Sequence, residues 1–288
     1  MIIIQLNGGL GNQMFQYAMG RFLSLKHNTP LKLDITCFGL QSKRKFLLNE
    51  LNIAAQIATE DEIYLTRNFS KNRILRKLFT IYQKNLPYWK RSQIIEKNPG
   101  IADLKVLRCP KTCYLSGYWQ SEKYFLTITD TLKNELKLIN ELPVSLQKFK
   151  KEIFDNPGSV SVHVRRGDYV SEVTNHWVCP ISYYQEAIAL ILQKIPRPHF
   201  YFFSDDIQWT KDNIRLEVPC TYINPSGNDV WDLELMKNCR SHINANSSFS
   251  WWGAWLGERT NSLVIVPNKW FVDRPFPEDR IPGRWKKI

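Results

Sequence analysis

The sequence predicts an α/β protein made of two Rossmann-type domains facing across a cleft. Short, continuous apolar runs alternate with helical patterns along all 288 residues, as parallel sheets with crossover helices require. Glycine-rich or charged segments follow several of these runs, at the strand ends where open α/β sheets bind ligands. A breaker cluster, Asn156-Pro157-Gly158, divides the pattern into halves, placing the domains at 1–155 and 156–288.

The elements follow in order. Ile2 to Leu6 is an apolar run bounded by glycines and reads as a buried parallel strand. After a glycine loop, Phe15, Ala18, Phe22 and Leu25 recur at helical spacing, predicting a helix from Asn12 to about Lys26. Leu31 to Ile35 reads as the next strand, and Thr59 with Glu62 forms a capping box that opens a helix. Helices are expected from about Asp130 to Leu138 and around Leu146 to Phe154. In the second half, strands are predicted at Ser159–Val164, His199–Ser204, Cys220–Ile223, His242–Asn246 and Leu263–Val266. Helices are predicted at Ser182–Ile195, Val230–Cys239 and Phe249–Arg259.

Composition fits a soluble globular chain, 43% hydrophobic and 23% charged. The ten Trp suit either a core or surfaces that hold the apolar faces of sugars. A net charge of +12 favours phosphorylated substrates or anionic surfaces. Between Arg67 and Arg91 stand eight basic residues and no acidic one, which reads as a solvated helix face or as a patch for an anionic membrane. No nucleic-acid module accompanies the charge, so nucleic acid is not an expected partner. The six Cys form no zinc pattern, and free thiols in a reducing compartment are expected. No apolar window is long enough to span a bilayer, and the N-terminal run is too short for a signal peptide. The expected location is cytoplasmic, with peripheral contact at the inner membrane face as the extension of the basic stretch.

Four segments carry chemistry. Asn7-Gly8-Gly9-Leu10-Gly11-Asn12-Gln13 joins a strand to a helix, where backbone can approach a ligand and the helix N-terminus favours an anion. It lacks the GK[ST] of a P-loop, and a tight turn is the alternative, but the polar pair Asn12-Gln13 at the helix start favours a functional loop. His163-Val164-Arg165-Arg166-Gly167-Asp168-Tyr169 places two guanidinium groups at a strand end, suited to phosphate oxygens or to a salt bridge with Asp168. Arg166-Gly167-Asp168 also spells an adhesion tripeptide, but at a strand end it is not displayed on a loop tip. Ser204-Asp205-Asp206 stands at another strand end. Asp232 precedes Asn246-Ser247-Ser248-Phe249, whose hydroxyls and helix N-terminus can cap the helix and cradle a diphosphate. No Asp-x-Asp occurs, so no metal and no cofactor are expected.

Together these motifs resemble the GDP-fucose-dependent α-1,2-fucosyltransferases, glycosyltransferase family 11. The resemblance rests on Gly8–Gln13, Gly117–Phe125, His163–Tyr169 and Ser247–Trp255, in register over nearly the whole chain. It implies a GT-B-like fold and inverting, metal-independent transfer of L-fucose from GDP-β-L-fucose to the 2-hydroxyl of a galactose-containing acceptor. The donor would lie against the second domain and the acceptor mainly against the first. Arg165 resembles the ligand of the departing β-phosphate and Arg166 its helper. His163 would touch the ribose or sugar and Asp232 the guanosine, with Ser204 and Asp205 nearby. Ser247, Ser248 and Phe249 would line the diphosphate and fucose, and Asn12 would reach the donor from the other side. For the general base, Asp168, Glu172 and His176 all stay open. The rival readings are another GDP-sugar transferase, such as a protein O-fucosyltransferase, and a non-catalytic GDP-sugar-binding module.

Overall fold

A computed structural model of the chain describes residues 1–39, 44–67, 73–167, 177–223 and 227–288. Two compact units emerge: 1–139 with 277–281, and 140–276 with 282–288. The division falls between Ile139 and Asn140, ahead of the breaker cluster that suggested residue 155. The helix expected to close the first domain thus belongs to the second unit, where its Lys150 pairs at 2.8 Å with Glu234.

The first unit opens with strand β1 (Ile2–Gln5) and helix α1 (Leu10–His27). Then come β2 (Leu31–Asp34), β3 (Gln56–Ile57), α2 (Glu60–Arg67), α3 (Arg73–Asn85), β4 (Gln93–Ile95), β5 (Cys113–Ser116) and α4 (Thr129–Glu135). The strands form one parallel sheet in the order β3-β2-β1-β5-β4. The order reverses at β1, so the glycine-rich loop leaves the sheet at its switch point. Helix α1 begins two residues earlier than its apolar spacing suggested, with Gly9 as its cap, and ends on a left-handed Asn28 at φ 46°. The capping box opens α2 as expected: Thr59 N–H donates to Glu62 Oε2 at 2.9 Å, and Glu62 N–H to Thr59 Oγ1 at 3.2 Å.

The second unit begins with α5 (Val144–Asp155) and β6 (Ser159–Val164). It continues with α6 (Ile181–Lys194), β7 (His199–Ser204), α7 (Ile207–Asn213), β8 (Cys220–Tyr222) and α8 (Asp229–Met236). Then follow β9 (Ser241–Ile243), α9 (Ser248–Gly257), β10 (Val264–Val266) and β11 (Lys286–Lys287). These strands also form a parallel sheet, ordered β11-β10-β9-β6-β7-β8, which reverses at β6. Every residue of β6 is buried, as expected of a central strand covered on both faces. Val160, Val162, Phe200, Phe202, Tyr184 and Ile191 form its core with neighbours on α6. Most tryptophans answer to packing: Trp119, Trp251, Trp252, Trp255, Trp270 and Trp285 are buried. Trp251 lies with its ring centroid 5.1 Å from Trp252 and 5.3 Å from Trp285.

Candidate active site

Both switch-point loops are built by side chains that consume their polar groups. In the first unit Gly8 has φ +77°, and a Cβ there would sit 2.4 Å from Asn12 Nδ2, so only glycine fits. Buried Gln13 donates to the Gly8 and Lys45 carbonyls at 3.0 and 2.8 Å and accepts from Leu47 N–H at 3.0 Å. Gln16, also buried, accepts from Asn7 N–H at 3.0 Å and donates to Gly117 O at 3.1 Å. Gln13 therefore serves the loop itself. Asn12 is half-buried, and its Oδ1 accepts from Gln120 Nε2 at 2.7 Å. That bond ties the Gly8–Gln13 segment to the Gly117–Phe125 segment within one unit.

In the second unit a pocket of about 120 Å³ opens at the C-terminal edge of the sheet, lined by His163, Arg165, Phe203, Ser204, Asp205, Ile223, Asp229, Asp232 and Phe249. Strand order accounts for it. The ends of β6, β7 and β8 deliver His163 and Arg165, Phe203 to Asp205, and Ile223, while α8 and α9 contribute their first turns. Asn228 caps α8, its Oδ1 accepting from Val230 N–H at 2.8 Å, which seats Asp229 and Asp232 at the helix start. Ser247 caps α9, accepting from Phe249 N–H at 3.2 Å. Ser247 thus caps the helix with its O–H still able to donate, and it and Ser248 immediately precede the pocket-lining Phe249 in sequence.

The two arginines part company. Arg165 Nη1 meets Asp205 Oδ2 at 2.9 Å, with both side chains about one quarter exposed, and lines the pocket. Arg166 lies with its guanidinium 3.7 Å above the Trp209 ring and its Nε 3.4 Å from Asp206 Oδ2, and is not among the lining residues. Its backbone N–H donates to Asp205 Oδ1 at 2.9 Å. Among the described residues the ion partners of the two arginines are thus Asp205 and Asp206. Asp168, Glu172 and His176 lie outside the described residues.

His163 is 5% exposed, with its ring centroid 5.5 Å from that of Phe249. Burial, aided by the Arg165 charge, lowers its pKa from 6.5 to about 3, so the imidazole is neutral at physiological pH. Its Nδ1 has no hydrogen-bond partner among the described residues. A buried polar atom without a partner beside an open recess is suited to a hydrogen bond from or to a bound molecule. The recess thus offers a guanidinium for an anion, a neutral imidazole, carboxylates for N–H or O–H donors, and an aromatic face. Phe203, Ile223 and Asp229 were not anticipated. An apolar residue ending a buried strand and an acid in a first turn look structural, and only the sheet topology brings them together. Among the described residues, no group of three or more His, Cys, Asp or Glu is placed to hold a metal.

The sequence pattern of the Glyco_transf_11 family, glycosyl transferase family 11, matches residues 1–286. The chain belongs to glycosyltransferase family 11. It is 33% identical to an alpha-1,2-colitosyltransferase of Escherichia coli, covering all of this chain and 98% of that one. It is 31% identical to the O-antigen biosynthesis glycosyltransferase WbnK of Escherichia coli over 93% of this chain and 94% of the relative. Galactoside alpha-(1,2)-fucosyltransferase 2 of Hylobates lar is 27% identical over 60% of this chain and 54% of its own length. Among solved structures, the fucosyltransferase NodZ from Bradyrhizobium superposes with a TM-score of 0.52 at 14% identity, covering 88% of this chain and 91% of NodZ. That likeness is one of fold: paired Rossmann-like parallel sheets of the GT-B-like type. The family 11 enzyme described here is a glycosyltransferase.

Proposed function

We propose that this family 11 enzyme transfers L-fucose from GDP-β-L-fucose to the 2-hydroxyl of a galactose-containing acceptor, inverting the anomeric centre and using no metal. The observation that carries the reading is Arg165, a guanidinium held by Asp205 in a recess that also presents His163, Asp232 and Phe249. The names of relatives support the linkage, since both the colitosyltransferase and the Hylobates lar enzyme are 1,2-transferases.

In this reading the second unit binds the donor. Asp232 accepts from the guanine N1–H and exocyclic amine, and neutral His163 bonds the ribose or sugar. Ser204, Ser247, Ser248 and Phe249 border the diphosphate and fucose, and Asn12 is a further donor-binding candidate. Arg165 meets the β-phosphate as the C1–O bond breaks and negative charge collects on the leaving oxygen, with Arg166 as its helper. A charge-assisted bond contributes roughly 1.5–3 kcal/mol, and a cation already in place acts where the charge develops. The acceptor hydroxyl attacks C1 from the opposite face and yields its proton to one of Asp168, Glu172 or His176. Chelation by EDTA should leave transfer intact, because no Asp-x-Asp pair exists to hold a diphosphate through a metal.

The 33% relative favours a second donor. Colitose is L-fucose without its 3-hydroxyl. A site that hydrogen-bonds that hydroxyl rejects the deoxy sugar by orders of magnitude, because its own polar groups are left unpaired. Comparing kcat/KM for GDP-fucose and GDP-colitose with a β-galactoside acceptor tests the assignment. Preference for GDP-colitose would transfer it to colitose, and no transfer from either donor would reject it.

A further inference from the structure

Helix α3 is amphipathic in sequence and faces the opposite way from a core helix. Ile74, Leu78, Ile81 and Tyr82 fall on one side at the spacing that normally marks the buried stripe. They are 70%, 57%, 49% and 58% exposed. The side turned to the protein is polar. Gln83 is 6% exposed, and its Oε1 accepts from Ser92 N–H at 3.0 Å and Gln93 N–H at 3.4 Å. Thr80 Oγ1 lies 3.5 Å from Gln93 Oε1. Those bonds fix the helix's rotation, because turning it to bury Leu78 and Ile81 would strip Gln83 from the start of β4.

We propose that the outward face of α3 docks on an anionic lipid surface, with its apolar stripe entering the interface. Charge selects the occupant. Lys77 and Lys84, one heptad apart on one flank of the stripe, are exposed, as is Lys90 just beyond the helix. The whole stretch from Arg67 to Arg91 holds eight basic and no acidic residues. A second copy would set like charges against each other across the contact, with no carboxylate in the segment to pair them. An anionic bilayer supplies both an apolar boundary for Ile74, Leu78 and Ile81 and negative headgroups for the lysines, the arrangement of an interfacial helix. Long lysine side chains keep their ammonium groups at headgroup level while the apolar face sinks.

Co-sedimentation of the full chain with vesicles tests this, comparing phosphatidylcholine alone with phosphatidylcholine containing about one third phosphatidylglycerol. The enzyme should pellet with the anionic vesicles at low salt, stay in solution with the neutral ones, and release at high salt as screening grows. The double variant Leu78→Ser, Ile81→Ser keeps every charge and should bind about tenfold more weakly while melting with the wild type. Anionic vesicles should also slow amide exchange over residues 73–85 in the unmodified protein, a readout independent of any variant. No pelleting on anionic vesicles, undiminished pelleting of the double variant, or unchanged exchange over the helix would each overturn the proposal. So would a wild-type dimer that the double variant turns into a monomer, since a second copy would then cover the face.

Discussion

Arg165 pairs with Asp205 because strands β6 and β7 run parallel at a fixed register. His163 stands opposite Phe203 and Val164 opposite Ser204, an offset of forty residues. Continuing that register past the strand ends sets Arg165 beside Asp205 and Arg166 beside Asp206, where both ion pairs form. Two adjacent cations are thus held apart by two adjacent carboxylates. One points into the pocket and the other lies on Trp209. A guanidinium fixed before substrate arrives loses little freedom when it meets a phosphate, which is where preorganised charge is most effective.

Arg165→Lys should lower kcat by more than it weakens GDP binding. Lysine keeps the charge but loses the planar fork that can hold two phosphate oxygens or span phosphate and Asp205. An interaction that grows as the β-phosphate departs shows in kcat, and a loss on the order of tenfold to a hundredfold is expected for one charged contact. Measuring kcat, GDP affinity and melting temperature on one preparation decides. A folded variant with near-normal kcat would assign the pair a purely structural role.

Much of this site was legible because strand ends announce themselves. The runs Ser159–Val164 and Phe200–Phe203 are unbroken buried segments, and the charges after them stand out against that background. His163, Arg165, Ser204, Asp205, Asp232 and Phe249 all line the pocket. The pairing of the arginines with Asp205 and Asp206 was not legible, since register across the sheet, not chain neighbourhood, sets it. Strands β4 and β5 were not anticipated at all. They span only three and four residues, too few for alternation to show, yet β5 lies directly beside β1. The apolar stripe of α3 was not read from the sequence, where the basic residues dominate the segment; in the structure Gln83 faces inward, accepting from Ser92 and Gln93 N–H, while Leu78 and Ile81 stay exposed.

Gly167→Ala should impair transfer while leaving the fold in place. A Cβ at Gly167 would come within 2.6 Å of Asp205 Oδ2, the oxygen that pairs with Arg165. The carboxylate must yield, and Arg165 shifts with it. Since an Asp side chain moves easily and the surroundings are partly exposed, the stability cost should stay near about 1 kcal/mol. Activity should fall by about tenfold or more, because displacing a catalytic group by a fraction of an ångström degrades its alignment. Unaltered kcat at normal melting temperature would show that the Asp205 contact does not position Arg165.

Acid should destabilise the second unit through its buried histidines. His163 and His242 are both lowered to about 3, chiefly by burial, with Arg165 and Arg259 adding to the effect. In the unfolded chain each titrates near 6.5. Above that pH both states are neutral and stability is unaffected. As pH falls from 6.5 toward 3 the unfolded chain binds the protons first, so stability falls with decreasing pH, on the order of 1 kcal/mol per unit for each group. Urea unfolding between pH 7.5 and 4.5 should therefore give a shallower dependence for His163→Gln than for the wild type. Parallel curves would mean that His163 accepts its proton in the folded state.

Guanine recognition through Asp232 makes the last prediction. Asp232 sits in the first turn of α8 and lines the pocket, where a carboxylate accepts well from two N–H donors in line. Guanine offers such a pair on its Watson–Crick edge, and uracil does not. GDP should raise the melting temperature in proportion to the logarithm of its concentration above Kd, and UDP far less. Asp232→Asn turns one acceptor oxygen into an amide donor, opposing a guanine donor and leaving it unpaired. The GDP-induced shift should then shrink toward that of UDP, at a cost of about 1–3 kcal/mol in binding for a buried donor without a partner. The two outcomes separate cleanly. If wild type responds equally to GDP and UDP, the base is not read in this pocket. If the variant keeps the GDP preference of the wild type, another residue reads the base.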